Sequence, residues 1–271
     1  MPVIFADGFE TMFSPWTTAF TLGSCQAVEA SQMPAGIAPH GGNYCGHFTT
    51  QATLQYAEAK VIRRIAQAGD VYVRAWFYIR QGITAMQNHD RFYMVTFKDS
   101  GGNLILSAGI RREGANPQRW VVWCRGLNTH RYGTSSIDAT PRWLCLEAHY
   151  NQNSGIYELF VNGTLEFTVT APMTNPPQVD TVVIGIEKTG TTGTAWDPTG
   201  QYVIDMYADD VVIAQEYIGP GVPLLPMLTV NSSPEIGVSV YVDEQLVGDT
   251  PITVELQPGP HTVRVEEEVT R

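Results

Sequence analysis

The ten residues from Val71 to Arg80 restrict this chain more than any other segment, because they alternate two chemically different sets of side chains without a fault. In an extended strand successive side chains point to opposite faces. Val71, Val73, Ala75, Phe77 and Ile79 therefore belong to a core, and Tyr72, Arg74, Trp76, Tyr78 and Arg80 share the other face. Flat rings and guanidiniums in a row suit stacking on a sugar, gripping a carboxylate or docking a partner protein. With Trp143, Glu147 and His149, which share a face of a second strand-like segment, they form the expected carbohydrate- or partner-binding surface.

Further strand-like segments recur between turn signals: Tyr44 to Thr50, Arg91 to Lys98, Leu104 to Arg111, Trp120 to Arg125, Arg142 to Tyr150, Ile156 to Val161, Thr164 to Thr170, Thr181 to Glu187 and Tyr202 to Ala214. Asp99-Ser100-Gly101-Gly102-Asn103, Asn151-Gln152-Asn153-Ser154-Gly155 and Asn162-Gly163 read as turns or hairpins. Many short strands joined tightly predict an all-β chain, an antiparallel jelly-roll sandwich. Only Gln55 to Gln67 offers a helix, and its β-branched residues suit a strand almost as well. After it all, Gly219-Pro220-Gly221-Val222-Pro223-Leu224-Leu225-Pro226 is too rich in Pro and Gly to continue a sheet, and it separates a domain over 1–218 from a small β-sandwich module over 227–271.

A chain of 271 residues, 44% of them hydrophobic, has ample material for a core, and no run approaches the roughly 18 apolar residues of a membrane helix. Membrane insertion is not expected. Sixteen Lys and Arg stand against 27 Asp and Glu, a formal charge of -11, and a surface so acidic repels phosphate backbones, so nucleic acid is not an expected partner. The start, Met1-Pro2-Val3-Ile4-Phe5, lacks the basic and long apolar regions of a secretory leader, so either a leader was removed and a start Met added or none was used, and the second option suits a protein assembled inside a cell and released by lysis. Cys25, Cys45, Cys124 and Cys145 lack the close pairing of a zinc site and are expected to be structural thiols or disulfides, with Cys124 and Cys145 in reach of each other across a sheet.

Asp7-Gly8-Phe9-Glu10 followed by Trp16, then Trp143 with Glu147, Gly155-x-Tyr157-x-Leu159-x-Val161-Asn162-Gly163, and finally Ala208-Asp209-Asp210-Val211-Val212-Ile213, resemble the concanavalin A-like jelly roll of laminin G-type and related lectin-like domains, over roughly Val3 to Ile218. The opening also resembles lectin-like structural proteins of tailed bacteriophages. Leu228 to Pro234, Val238-Ser239-Val240-Tyr241-Val242-Asp243, Gly248-Asp249-Thr250-Pro251 and Leu256 to Val265 resemble the PEGA family, small β modules of surface-associated proteins; Glu244 stands where that family has glycine, and the early stop at Arg271 implies an incomplete or trimmed module. The lectin-like resemblance implies a calcium site where the terminal Asp-Asp strand meets the first turn, with Asp7, Glu10, Asp209 and Asp210 as its candidate ligands. Asp209 and Asp210 point to opposite faces of a regular strand, so only one is expected to turn inward.

No unambiguous catalytic motif is present. The paired carboxylates of glycoside hydrolysis have no candidate, nor is there a Gly-x-Ser-x-Gly element or a phosphate loop. The competing enzymatic reading is a jelly-roll polysaccharide lyase in which Arg neutralises a uronate and His or Tyr takes a proton, built on Glu147, His149 and the neighbouring ring-and-arginine row. The expectation is a non-enzymatic virion structural or decoration protein on a phage capsid or tail, at the virion surface, attaching multivalently to host-surface glycans beside copies of itself or other virion proteins. The alternative is a secreted, cell-surface carbohydrate-binding module.

Overall fold

The computed structural model describes residues 3–53, 56–114, 116–188, 202–221, 227–230, 237–255 and 262–266. In chain order the strands are β1 (Val3–Asp7), β2 (Thr17–Thr21), β3 (Gly23–Glu29), β4 (Tyr44–Thr50), β5 (Ala57–Ala68), β6 (Asp70–Gln81), β7 (Arg91–Lys98), β8 (Leu104–Arg111), β9 (Arg119–Cys124) and β10 (Thr129–Ser136). They continue with β11 (Trp143–Asn151), β12 (Ile156–Val161), β13 (Thr164–Thr170), β14 (Val179–Lys188), β15 (Asp205–Ala214), β16 (Met227–Val230), β17 (Ser239–Val242), β18 (Gln245–Asp249), β19 (Ile252–Glu255) and β20 (Val263–Glu266). The only helical elements among the described residues are short 3-10 turns at Ala30–Gln32 and Ile83–Ala85.

Two antiparallel sheets face each other. One runs β13-β12-β11-β6-β15-β4-β3, with β1 added against β15; the other runs β10-β9-β8-β7-β14-β5-β2. Chain neighbours such as β5 and β6 lie in different sheets, the crossover pattern of a jelly roll, and the all-β expectation is met. The alternation in β6 works as its sequence implies: Val71, Val73, Ala75, Phe77 and Ile79 are all buried in the shared core. They meet Phe92, Val95 and Phe97 of β7 and Trp120, Val122 and Cys124 of β9 within one hydrophobic cluster. The candidate helix is strand β5, because Ala57, Ala59 and Val61 alternate inward and its backbone pairs with both β2 and β14.

Bulges re-phase the alternation at two places. In β15 the core positions are Met206 and Ala208, then Val211 and Ile213, with a register shift between Asp209 and Val212 and Asp210 at φ 47°. The extra residue leaves both aspartates on the side away from the core, which corrects the expectation that only one turns inward. In the other sheet Tyr93 pairs with Glu187 and Val95 with Ile184, so Met94 faces two residues of β14; Gly185 there has φ 134°, and a side chain would meet the Ala59 carbonyl at 2.5 Å. Met94 and Val95 both enter the core, while Arg91, Tyr93, Thr96 and Lys98 are left on the outer face.

All four cysteines are free thiols. Cys124 faces the core from one sheet and Cys145 lies on the other sheet's outer side opposite Trp76, so the expected approach of the two does not occur. Burial pushes both thiols up to about 12, which leaves them inert near neutrality.

Toward the C-terminus β17 pairs with β18 and β20, and β16 pairs with β19, giving a separate three-stranded and two-stranded sheet. Residues 222–226 of the anticipated linker, 231–236 and the end of the acidic run after Glu266 lie outside the described residues.

Phe77 is 1% exposed at the centre of the core, so Phe77→Ala is expected to cost about 3–5 kcal/mol and to lower the melting temperature by on the order of 10 °C in calorimetry. A shift within a degree or two would mean that the sheets do not pack there as described.

Candidate functional site

The ring-and-arginine row of β6 and its partners from β11 lie together on the outer face of the eight-stranded sheet, in register as Trp143 with Tyr78, Glu147 with Arg74 and His149 with Tyr72. Much of this face is covered by the chain itself. His40 stacks on Trp76 at 3.8 Å, and the Trp143 indole donates to the Ala38 carbonyl. Glu147 accepts from the backbone N–H groups of Ile218 and Gly219, both at 2.8 Å, and Arg74 donates toward the Gly219 carbonyl. His149 stacks on Tyr72 and is held between Asp70 and Glu158. Arg74, Glu147 and His149 are thus buried rather than lining an open groove; neighbouring segments satisfy Glu147 and His149, while Nε and Nη2 of Arg74 and the Trp76 indole N–H are left without a partner among the described residues. Of the eight expected residues only Arg80 is exposed, with Tyr72, Trp76, Tyr78 and Trp143 half-buried.

The expected calcium ligands divide into separate places. Asp7 accepts from the Phe9 N–H and, at 2.5 Å, from the Trp16 indole; Glu10 accepts from the N–H groups of Asn43 and Tyr44. Asp209 and Asp210 stay together, buried, near the same loop: Asp209 accepts from the Gly41 N–H and Asp210 meets His40 Nδ1 at 2.6 Å. Burial, then the neighbouring Asp210 carboxylate, pushes Asp209 well above the usual carboxylate range. Among the described residues no three His, Cys, Asp or Glu side chains gather as a metal-ligand set.

The outer face of the seven-stranded sheet carries a different constellation. Pairing of β7 with β8 and of β8 with β9 sets Arg91 opposite Arg111 and Arg111 opposite Arg119, three guanidiniums in line across three strands. The next row is Tyr93, Gly109, Val121 and Tyr132. His130 of β10 reaches back over it: its Nε2 lies 2.6 Å from the Tyr93 hydroxyl and its Nδ1 3.2 Å from Arg111 Nη1. Bridging β10 to β7 crosses three interstrand steps, about 14 Å, and the small side chains of Gly109 and Val121 leave that path open. Arg111 also pairs with Glu113 at 2.6 Å, and its guanidinium lies over the Tyr132 ring at 5.6 Å. Beside it is a cavity of about 190 Å³ lined by Arg111, Glu113, Asn116, Pro117, Arg119 and Tyr132.

The proton positions follow from the donors. A guanidinium only donates, so Nδ1 of His130 accepts, and the remaining proton on Nε2 is given to the Tyr93 oxygen. The phenolic hydrogen is then free to point at a ligand. Burial, followed by Arg111 and Arg91, depresses His130 to about 4, and burial raises Tyr93 to about 12, so both are neutral near pH 7. A neutral imidazole and a phenol beside a line of fixed positive charges are equipped for proton transfer next to a bound carboxylate. None of these residues belongs to the expected site.

The architecture is that of an antiparallel jelly-roll sandwich. The fold resembles Cip1, a cellulose-induced protein, with 18% identity, a TM-score of 0.56, and coverage of 80% of this chain and 100% of that one. It also resembles an endo-beta-1,4-glucuronan lyase of the fungus Trichoderma reesei, at 13% identity and TM-score 0.53 over 79% and 96% of the two chains, and the binding domain of botulinum neurotoxin serotype C1, at 13% identity and TM-score 0.51 over 89% and 58%. These likenesses establish the fold. The family described as PEGA domain matches residues 225–269, in line with the resemblance seen in the C-terminal sequence. No curated protein sequence matches the chain.

A basic group whose pKa is depressed on folding contributes stability that is present above its unfolded value and lost as pH falls. For His130 that window runs from about 6.5 down to about 4. Melting temperature measured across this range is expected to fall with acid, and His130→Gln to flatten that slope; an unchanged slope in the variant would show that His130 is not held neutral by this site.

Proposed function

We propose that the outer face of the seven-stranded sheet binds a carboxylate-bearing polysaccharide and cleaves it by β-elimination. The observation that carries this reading is the chain of contacts Tyr93–His130–Arg111 set against the arginine row. Support comes also from the fold shared with an endo-beta-1,4-glucuronan lyase, an enzyme that acts on a uronate polymer. It revises the expectation of a non-enzymatic module and moves the lyase alternative from Glu147 and His149 to another sheet.

The chemistry asks for three things, and each has a residue. Arg111, with Arg91 and Arg119, neutralises the uronate carboxylate, which makes the proton on the adjacent C5 more acidic. As that carboxylate takes over the Arg111 fork, the lone pair on His130 Nδ1 is released and accepts the C5 proton. The electrons of the C–H bond form the C4–C5 double bond, the C4–O bond breaks, and the Tyr93 hydroxyl gives its proton to the departing oxygen. Tyr93 is then reprotonated from His130 Nε2, across the 2.6 Å contact, which returns both groups to neutrality. No oxidant or water enters the sequence.

Polyglucuronate and alginate are the probes, and the ultraviolet absorbance of the unsaturated product is the readout. Tyr93→Phe is expected to lower the rate by roughly 10²–10⁴-fold while leaving polymer binding in place. Arg111→Ala is expected to weaken binding as well. Binding without elimination by the unmutated protein would instead favour the attachment module, displayed in many copies on a particle surface. Absence of both contradicts the assignment.

We also propose that Asp209 and Asp210 hold a calcium ion, because two adjacent buried carboxylates repel each other unless a proton or cation lies between them. Glu10 stands close enough for its charge to act on Asp209, and carbonyls and water would complete calcium's roughly six to eight oxygens. Calcium added to chelator-treated protein is expected to raise the melting temperature, and Asp209→Asn to remove the shift. Identical melting curves with and without calcium would return the pair to its hydrogen bonds with Gly41 and His40.

A further inference from the structure

The eight-stranded sheet turns its outer face to the opposite side of the sandwich from the arginine row, and where β3, β4, β15 and the end of β6 lie side by side it carries a second cavity, of about 340 Å³. That volume lies at the small end of the range for ligand sites. Strand register sets Gln26, His47, Tyr207 and Tyr78 in one line across four strands, and Gln32 and Pro34 close the cavity from the turn after β3.

We infer that this cavity is a site for a neutral saccharide unit, separate from the acidic-polymer site. The charges argue for neutrality. Arg80 donates to one oxygen of Asp205, and His47 Nε2 lies 3.0 Å from the other, so one carboxylate already answers the guanidinium. The His47 ring is fixed by stacking on Tyr207 at 4.6 Å. Among the described residues this face carries no row comparable to the three aligned guanidiniums of the other sheet to hold an anion.

The polar groups that remain suit hydroxyls. Among the described residues Arg80 makes a single side-chain hydrogen bond, through Nη2, and the Gln26 amide makes none, so both keep N–H groups, and Gln26 also a carbonyl, for a ligand. Gln32 spends its carbonyl on the Glu29 N–H and keeps its NH₂. Amides that both donate and accept, set beside the apolar surface of Pro34 and Val28, are matched by a sugar ring with its hydroxyl rim and C–H faces.

The test uses the full chain, isotope-labelled for NMR, with glucose, galactose, mannose and their β-linked disaccharides as probes. At least one is expected to shift the side-chain amide signals of Gln26 and Gln32 and the His47 ring. Gln26→Ala, which removes an exposed side chain with no protein hydrogen bond, is expected to weaken that binding at least tenfold, as is Arg80→Ala. Arg111→Ala is expected to leave it unchanged, which separates this site from the one proposed for uronates. The inference is overturned if no probe moves the Gln26, Gln32 or His47 signals, or if the shifts persist unweakened in a folded Gln26→Ala protein.

Discussion

A β-strand has only two faces, and nearly every functional statement about this chain depends on which of them a residue takes. A one-residue slip sends a whole row of side chains to the other side, so a register once fixed by burial fixes the surface as well. The apolar set of β6 and the matching sets of β7 and β9 lock the two sheets together. Everything opposite them is forced outward. The bulges at Asp210 and at Met94 are the two places where that parity is reset: the first leaves Asp209 and Asp210 side by side, and the second puts Thr96 and Lys98 on the same outer face as Arg91 and Tyr93.

Those forced rows carry an electrostatic cost. Like charges placed directly opposite on neighbouring strands are destabilising, on a scale where cross-strand pairs count for roughly 0.2–1 kcal/mol. Arg91, Arg111 and Arg119 nevertheless stand in line, in a protein whose formal charge is -11, with Glu113 paired to the central Arg111. Arg111 is only 5% exposed, so its charge is poorly screened by water. An anion laid along the row would relieve this strain, and a uronate chain supplies one carboxylate per sugar. Burial, reinforced by the same field, keeps His130 neutral, which is the state a proton acceptor needs.

Strand ends were largely legible in the sequence because turn chemistry marks them. The hairpin signal Asp99 to Asn103, with strands on either side running Arg91 to Lys98 and Leu104 to Arg111, is enough in principle to set Arg91 across from Arg111. What hid the row was distance: its members stand at three strand termini, and none sits in a conspicuous local motif. His130 was harder to find, since β10 is a polar run of Thr, Ser, Gly and Arg without alternation, and β1 to β3 were missed because little of them is buried. The conspicuous motif of β6 was read correctly as a strand, but sequence does not reveal that the stretches around His40 and Gly219 fold over its polar face.

The most direct measurement is a crystal structure of the protein with a bound uronate tetrasaccharide. A sugar carboxylate is expected within hydrogen-bonding distance of Arg111 and its neighbours in the row, with the glycosidic oxygen beside the Tyr93 hydroxyl. A tetrasaccharide seated elsewhere, with the Arg91–Arg111–Arg119 row left in water, would contradict the account.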